Sequence, residues 1–334
     1  MTVPYTKDWA SLARLNPELE TLLIPLKGFQ LIIPGVTTLE TARAGFAKRQ
    51  QTAPWPGVHE KDIQIPMRDG TTIRACVYSP SEPGTTKKPL AIFAFGGGFV
   101  LGSLETEEAN CRTWAKRYGG VAVSIGYRVA PEHKWPGTVE DVYDAVKWVA
   151  EHHRELESDP SKGFILGGTS SGATIMATIS HLWRDDGLAP PLTGLFLAVP
   201  APCVVSALPE KYRHQELSWE QNRDAPVFNS TTSEWNSNIA QFKDDDPLRS
   251  PLLFPTGHKD LPPTYFAVAG ADPWRDAGLI YEEILREECG VKTKADIYGG
   301  LVHGFWSIFP NAEFSKEYRL KADEALQWLL EQSK

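Results

Sequence analysis

The chain has no apolar run near the roughly 18 residues that a membrane-spanning helix needs. The apolar stretch "LIPLKGFQLIIPG" is short and broken by Pro25, Gly28 and Pro34. The N-terminal "MTVPYTKDWASLARLNPELETLL" lacks a basic segment followed by an apolar one, so no secretory signal is expected. Cysteine is scarce as well. Cys76, Cys111, Cys203 and Cys289 lie far apart with no CxxC spacing, which points to free buried thiols and a cytoplasmic location. Positive charge is short: 34 Lys and Arg stand against 42 Asp and Glu, a net charge of -8. A broad nucleic-acid surface needs the opposite balance. The motifs GxGxxG, GxxxxGK-Ser/Thr and HExxH are all missing, and His152 and His153 are adjacent and cannot share a helix face. No cofactor and no metal are therefore expected.

What is present is an ordinary globular balance, 42% hydrophobic and 23% charged, with eleven tryptophans. Residues 1–55 read as helices punctuated by prolines, and "DIQIPMRDGTTIRACVYSP" alternates around Asp69-Gly70 as a hairpin would. From residue 89, "PLAIFAF", "VAVSIGY", "GFILGG", "GLFLAVP" and "TYFAVAG" are short apolar runs, the mark of strands buried on both faces. Helical stretches lie between several of them, at Thr138–His152, Ala173–Asp186 and Asp276–Glu288. In the first, Val139, Val142, Val146 and Val149 recur at helical spacing. This alternation predicts a three-layer α/β domain. Residues 202–260, polar and rich in Trp, Asn and Pro, interrupt it. The acidic run Asp244-Asp245-Asp246 within them reads as a solvated face. The expected organisation is N-terminal cap helices at 1–55, a core at 56–201, a cap insertion at 202–260 and the rest of the core at 261–334.

Chemistry is concentrated in four places. "FILGGTSSGATIM" holds the G-x-S-x-G pattern Gly168-Thr169-Ser170-Ser171-Gly172, after an apolar strand and before an amphipathic helix. Glycines on both sides let a serine occupy a strained strand-to-helix turn with its hydroxyl exposed. A serine hydroxyl is a poor nucleophile without a base, and the base needs an orienting acid. Of the histidines downstream, His181 falls in the following helix, and His214 and His258 fall in the polar insertion. His303, in "DIYGGLVHGFW", follows a final strand and is the expected base. Asp272, at the end of "TYFAVAGAD", is the expected acid, while its competitor Asp276 looks like a helix N-cap. The fourth place is "FAFGGGFVLGS". Gly97 and Gly98 there, with the amide of Ser171, are candidate donors to an oxyanion.

These blocks, with "GYRVAPEHKWPGTVED" and "HGF", occur in the order of a known family. From about residue 60 onward the chain resembles the hormone-sensitive-lipase-like branch of the α/β-hydrolases, which includes bacterial family IV esterases and arylacetamide deacetylases. The resemblance implies an eight-stranded, mostly parallel sheet flanked by helices, a helical cap, and a triad of Ser170, Asp272 and His303. Two departures stand out. Phe95 replaces the histidine of the family's His-Gly-Gly-Gly, and Thr169 and Ser171 replace the Asp and Ala of Gly-Asp-Ser-Ala-Gly. Phe95 is expected to hold the glycine loop by packing, and the changes at Phe95 and Thr169 to be coupled.

The leading reading is a serine hydrolase that cleaves carboxylic esters of small to medium, fairly apolar substrates through an acyl-enzyme. Phe99, Trp219, Trp235 and Phe305 are the expected pocket walls. The alternative is a biosynthetic enzyme performing lactonisation, acyl transfer, elimination or cyclisation. A non-catalytic small-molecule receptor is the third reading. The partner is a small-molecule ester or related metabolite, with no nucleic acid and no membrane span, and a homodimer is compatible with all three.

Overall fold

In the computed structural model, which describes residues 2–3, 7–26, 32–33, 35–48, 53–82 and 88–333, the apolar runs become neighbouring strands. In chain order the strands are β1 (Thr2–Val3), β2 (Val58–Pro66), β3 (Thr72–Pro80), β4 (Leu90–Ala94) and β5 (Val121–Ile125). They continue with β6 (Phe164–Thr169), β7 (Gly194–Ala198), β8 (Thr264–Ala269) and β9 (Thr293–Tyr298). The sheet order is β1-β9-β8-β7-β6-β4-β5-β3-β2, with β4 to β9 mutually parallel. Eight strands match the expectation. The ninth, β1, is a two-residue edge pairing with β9, too short for any hydrophobic period to announce. The Asp69-Gly70 hairpin forms as read, pairing β2 with β3.

Alternate residues of the central strands face opposite cores. Leu90, Ile92 and Ala94 of β4 join one cluster, and Ala91 and Phe93 join the other. The same split divides Leu195 and Leu197 from Phe196 and Ala198 in β7. Each face therefore needs its own helical layer. Helices Gly137–Glu151, Ser171–Asp185 and Arg275–Glu283 cover the first, and Glu108–Tyr118 and Glu313–Glu331 cover the second. Val139, Val142, Val146 and Val149 are all buried, as their spacing predicts. Among the described residues no helix is long and apolar enough to cross a membrane.

The N-terminal helical reading is described in part, as Pro17–Leu23 and Leu39–Lys48; residues 27–31, 34 and 49–52 lie outside the described residues. Residues 202–260 form short helical turns and one longer helix, Ser230–Ala240. They are fastened to the core by Asp276, whose Oδ2 accepts from the amides of Leu217 and Ser218 at 2.8 Å each. Asp276 is thus not the helix N-cap the sequence suggested. It lies within Arg275–Glu283 and forms a fully buried ion pair with Arg275. The acidic run is not wholly solvated either: Asp246 accepts from the indole of Trp135 at 2.8 Å and from the amide of Leu248 at 2.9 Å.

Backbone contact sets the distance between β4 and the helix after β6. A Cβ added at Gly172 would lie 2.1 Å from the Ala94 carbonyl oxygen and 2.4 Å from that of Phe95. Neither atom belongs to a side chain that could move aside. G172A is expected to destabilise the protein by roughly 3 kcal/mol or more, at the upper end of overpacking effects. At Gly45, in the helix Leu39–Lys48, an added Cβ meets nothing within 4 Å. G45A is expected to stabilise by about 0.5–1 kcal/mol. Urea unfolding of the two variants checks both signs.

Candidate active site

Strand β6 ends at Thr169 and a helix begins at Ser171, so Ser170 must turn the chain alone. It does so at φ 55° and ψ -121°, a strained conformation for a residue with a side chain. The turn is pinned by the Ser170 amide donating to Ala198 at 2.8 Å and by Thr174 donating back to the Ser170 carbonyl at 3.0 Å.

Two loops from neighbouring strands reach this serine. After β8, Asp272 is buried, and its Oδ1 accepts from the Trp274 amide at 2.9 Å. After β9, the chain passes Gly299 and Gly300 to His303. The loops are joined by the Gly270 amide donating to Tyr298 at 2.8 Å and the Ala271 amide donating to Leu301 at 2.9 Å. This brings His303 Nδ1 to 2.6 Å from Asp272 Oδ2, and His303 Nε2 to 2.8 Å from Ser170 Oγ. Beside the carboxylate, Nδ1 carries the proton, which leaves Nε2 to accept from the serine hydroxyl. Phe228 stacks on the imidazole with ring centroids 4.5 Å apart. The other downstream histidines stay away: His181 and His258 are bonded to each other at 2.9 Å, and His214 is exposed.

The three glycines each meet a different neighbour. A Cβ on Gly96 would fall 2.7 Å from the Thr169 carbonyl, so this loop lies directly against the serine turn. Gly97 and Gly98 have φ of 142° and 63°. Among the described residues, nothing accepts from the amides of Gly97, Gly98 or Ser171. Ser171 also opens its helix, where unpaired N–H groups favour negative charge.

Phe95 is held by packing. Its ring stacks on Tyr127 at 3.8 Å with the planes 4° apart, and the Tyr127 hydroxyl donates to the Phe95 carbonyl at 2.6 Å. Thr169 instead faces Glu107, so the two departures from the family pattern meet different partners.

The pocket that contains Ser170 is lined by Gly98, Phe99, Ser171, Ala201 and Phe228, by Ser233, Asn236 and Ser237, and by Phe242, Arg249 and Trp274. Of the walls read from the sequence, Phe99 is there. Trp219 packs on Trp274, and Trp235 packs against the core from a helix whose other residues reach the pocket. Phe305 is fully buried among Tyr298, Phe314 and Tyr318. Asn236, on the polar helix Ser230–Ala240, and Phe242 and Arg249, on the loop after it, lie in sequence without an apolar period to mark an inward residue. Among the described residues no group of three His, Cys, Asp or Glu is placed to hold a metal.

Beneath the serine turn, Glu107 is completely buried beside Thr169 and Asn110, and burial pushes its pKa from 4.5 up to about 7. A carboxyl whose pKa rises on folding favours the fold while protonated. That contribution is complete below pH 4.5 and is lost as pH rises through about 7. E107Q mimics the neutral acid and lacks this dependence. The stability of wild type relative to E107Q is expected to fall across that window in chemical denaturation at a series of pH values.

Residues 91–307 match the alpha/beta hydrolase fold family. An AB hydrolase superfamily protein of Schizosaccharomyces pombe is 36% identical over 269 residues, covering 80% of this chain and 79% of its own. A versiconal hemiacetal acetate esterase of Dothistroma septosporum is 33% identical over 247 residues, covering 74% and 75%. Among solved structures, a vibralactone cyclase superposes with a TM-score of 0.87 at 30% identity, covering 100% of this chain and 98% of its own. The chain belongs to the alpha/beta hydrolase family.

Proposed function

We propose that the protein hydrolyses carboxylic esters through an acyl-enzyme formed on Ser170. The observation that carries this is the continuous line of hydrogen bonds from Asp272 through His303 to Ser170, in a pocket that Gly98 and Ser171 also line. Ser170 Oγ attacks the ester carbonyl as its proton passes to His303 Nε2. Asp272 stabilises the imidazolium and fixes its orientation. Charge gathers on the carbonyl oxygen, and the amides of Gly97, Gly98 and Ser171 receive it; each such donor contributes on the order of 10² to 10³ in rate. His303 then protonates the departing alcohol, and water deacylates the serine by the same route reversed. The name of the Dothistroma relative, an acetate esterase, supports this reading.

Residues 1–55 and 202–260 act as the cap over this site, and residues 56–201 and 261–334 form the core. Support comes from the pocket walls Phe228, Asn236 and Phe242 and from the bond of Gln221 to the Ala10 carbonyl at 2.7 Å. The free thiols Cys76, Cys111, Cys203 and Cys289 support a cytoplasmic setting.

A second reading keeps the acyl-enzyme but replaces water by a hydroxyl of the same acyl group, giving a lactone. The full-length likeness to a vibralactone cyclase favours it. Both readings require a working Ser170. A fluorophosphonate is expected to add one equivalent to wild type and none to S170A, measured by intact mass. Turnover of p-nitrophenyl butyrate by D272N and H303Q is expected to fall on the order of 10³-fold or more. Wild type that is folded but unlabelled contradicts both readings.

A further inference from the structure

One wall of the Ser170 pocket carries a buried charge that the acyl-enzyme chemistry does not use. Arg249 is 3% exposed, and among the described residues no carboxylate pairs with it. Its guanidinium is held by three rings: Cζ lies 5.2 Å from the centroid of Phe99, 4.8 Å from Phe242 and 5.5 Å from Trp274. Nη1 donates to the Ala201 carbonyl at 2.9 Å. Nε is sealed from solvent and has no hydrogen-bond partner. Nη2 has none either. Burial pulls the pKa down to about 10, so the group remains cationic at neutral pH.

The rings explain how the charge is tolerated, since they attract a cation through their faces. They leave Nε and Nη2 without acceptors, an arrangement that favours an acceptor supplied by a ligand. Nε and Nη2 form one edge of the guanidinium, and Nη2 is the donor on it that a ligand in the pocket can reach, with a carboxylate oxygen as its charge-assisted acceptor. A structural arginine anchored by Ala201 alone would not need that edge free inside a catalytic pocket. Asn236, on the same wall, adds a second buried atom without a partner, its Oδ1.

We propose that Arg249 recognises a carboxylate on the substrate, so that the preferred esters bear a free acid group besides the ester that Ser170 attacks. Half-esters of dicarboxylic acids, and esters of hydroxy acids, have this chemistry. The inference rests on the ester-cleaving reading of Ser170 and narrows it. An uncharged ester of the same shape leaves the charged Nη2 donor without an anionic acceptor and binds less well.

The test compares kcat/KM for p-nitrophenyl glutarate half-ester with that for p-nitrophenyl butyrate, and for 4-acetoxybenzoate with its methyl ester. In wild type at least one anionic member is expected to be favoured by roughly 10- to 100-fold, the usual worth of a hydrogen-bonded charge. R249M is expected to abolish that ratio, and R249K to keep part of it, with labelling of Ser170 by a fluorophosphonate reporting a folded site. A wild type that turns over butyrate with no preference in either pair overturns the proposal and leaves the esterase reading standing. A wild type that turns over no ester contradicts that reading instead. Should R249M fail to fold, the wild-type ratios and R249K decide. A preference that persists in R249K undiminished contradicts recognition by the fork.

Discussion

The site depends on how closely the helix behind Ser170 approaches strand β4. Gly168 and Gly172 bracket the serine, and a Cβ on either would press into the carbonyl of Ala94, at 2.5 Å and 2.1 Å. With both positions bare, the helix starts hard against the end of β4. Its first amide, on Ser171, then lies on the side from which the Gly96–Gly98 loop approaches. Gly96 completes the contact by lying against Thr169. Two strand ends, those of β4 and β6, and one helix start are brought together by backbone packing. The catalytic geometry is a property of the sheet rather than of mobile side chains, which suits a site whose donors must be aimed before charge develops.

The segment at residues 217–218 is laid over this frame by polar bonds that are costly to break. The fully buried Arg275–Asp276 pair ties the segment at Leu217 and Ser218 to the helix just after Asp272. Removing one partner of such a pair leaves an uncompensated charge, a loss of about 3–5 kcal/mol. The acid loop and the cap segment are therefore fixed by the same residues. From that segment come the Phe228 ring on His303 and the Arg249 wall opposite the serine. The Ser170–His303–Asp272 contacts thus come from loops at the strand ends, while residues 202–260 supply Phe228, Ser233, Asn236, Phe242 and Arg249 to the pocket.

The division explains what could be read from the sequence. Ser170 and Asp272 follow the ends of apolar strands, where a change of pattern marks their place, and His303 lies in the loop after the last strand, "TKADIY". The sequence reading therefore named the three residues that the structure brings into hydrogen-bond contact. Phe95 was legible as a packing residue, although its partner, Tyr127, lies 32 positions away and no spacing links them. Phe305 was misplaced because an aromatic two residues after a loop histidine looks the same whether it faces ligand or core. Arg249 was invisible for a different reason: in "DDDPLRSP" it reads as one more surface charge, and only packing places it among three rings. Asp276 looks like a cap in the sequence because a helix start is the commonest use of an aspartate there. Its tie to Leu217 spans 59 residues.

The central claim is that the amides of Gly97, Gly98 and Ser171 receive an oxyanion formed on Ser170. A crystal structure of the adduct with a small alkyl fluorophosphonate tests it most directly, because the phosphonyl oxygen stands where the oxyanion would be. The account predicts phosphorus bonded to Ser170 Oγ, with that oxygen about 3 Å from the three nitrogens. An adduct on Ser170 whose phosphonyl oxygen points away from all three amides would contradict it.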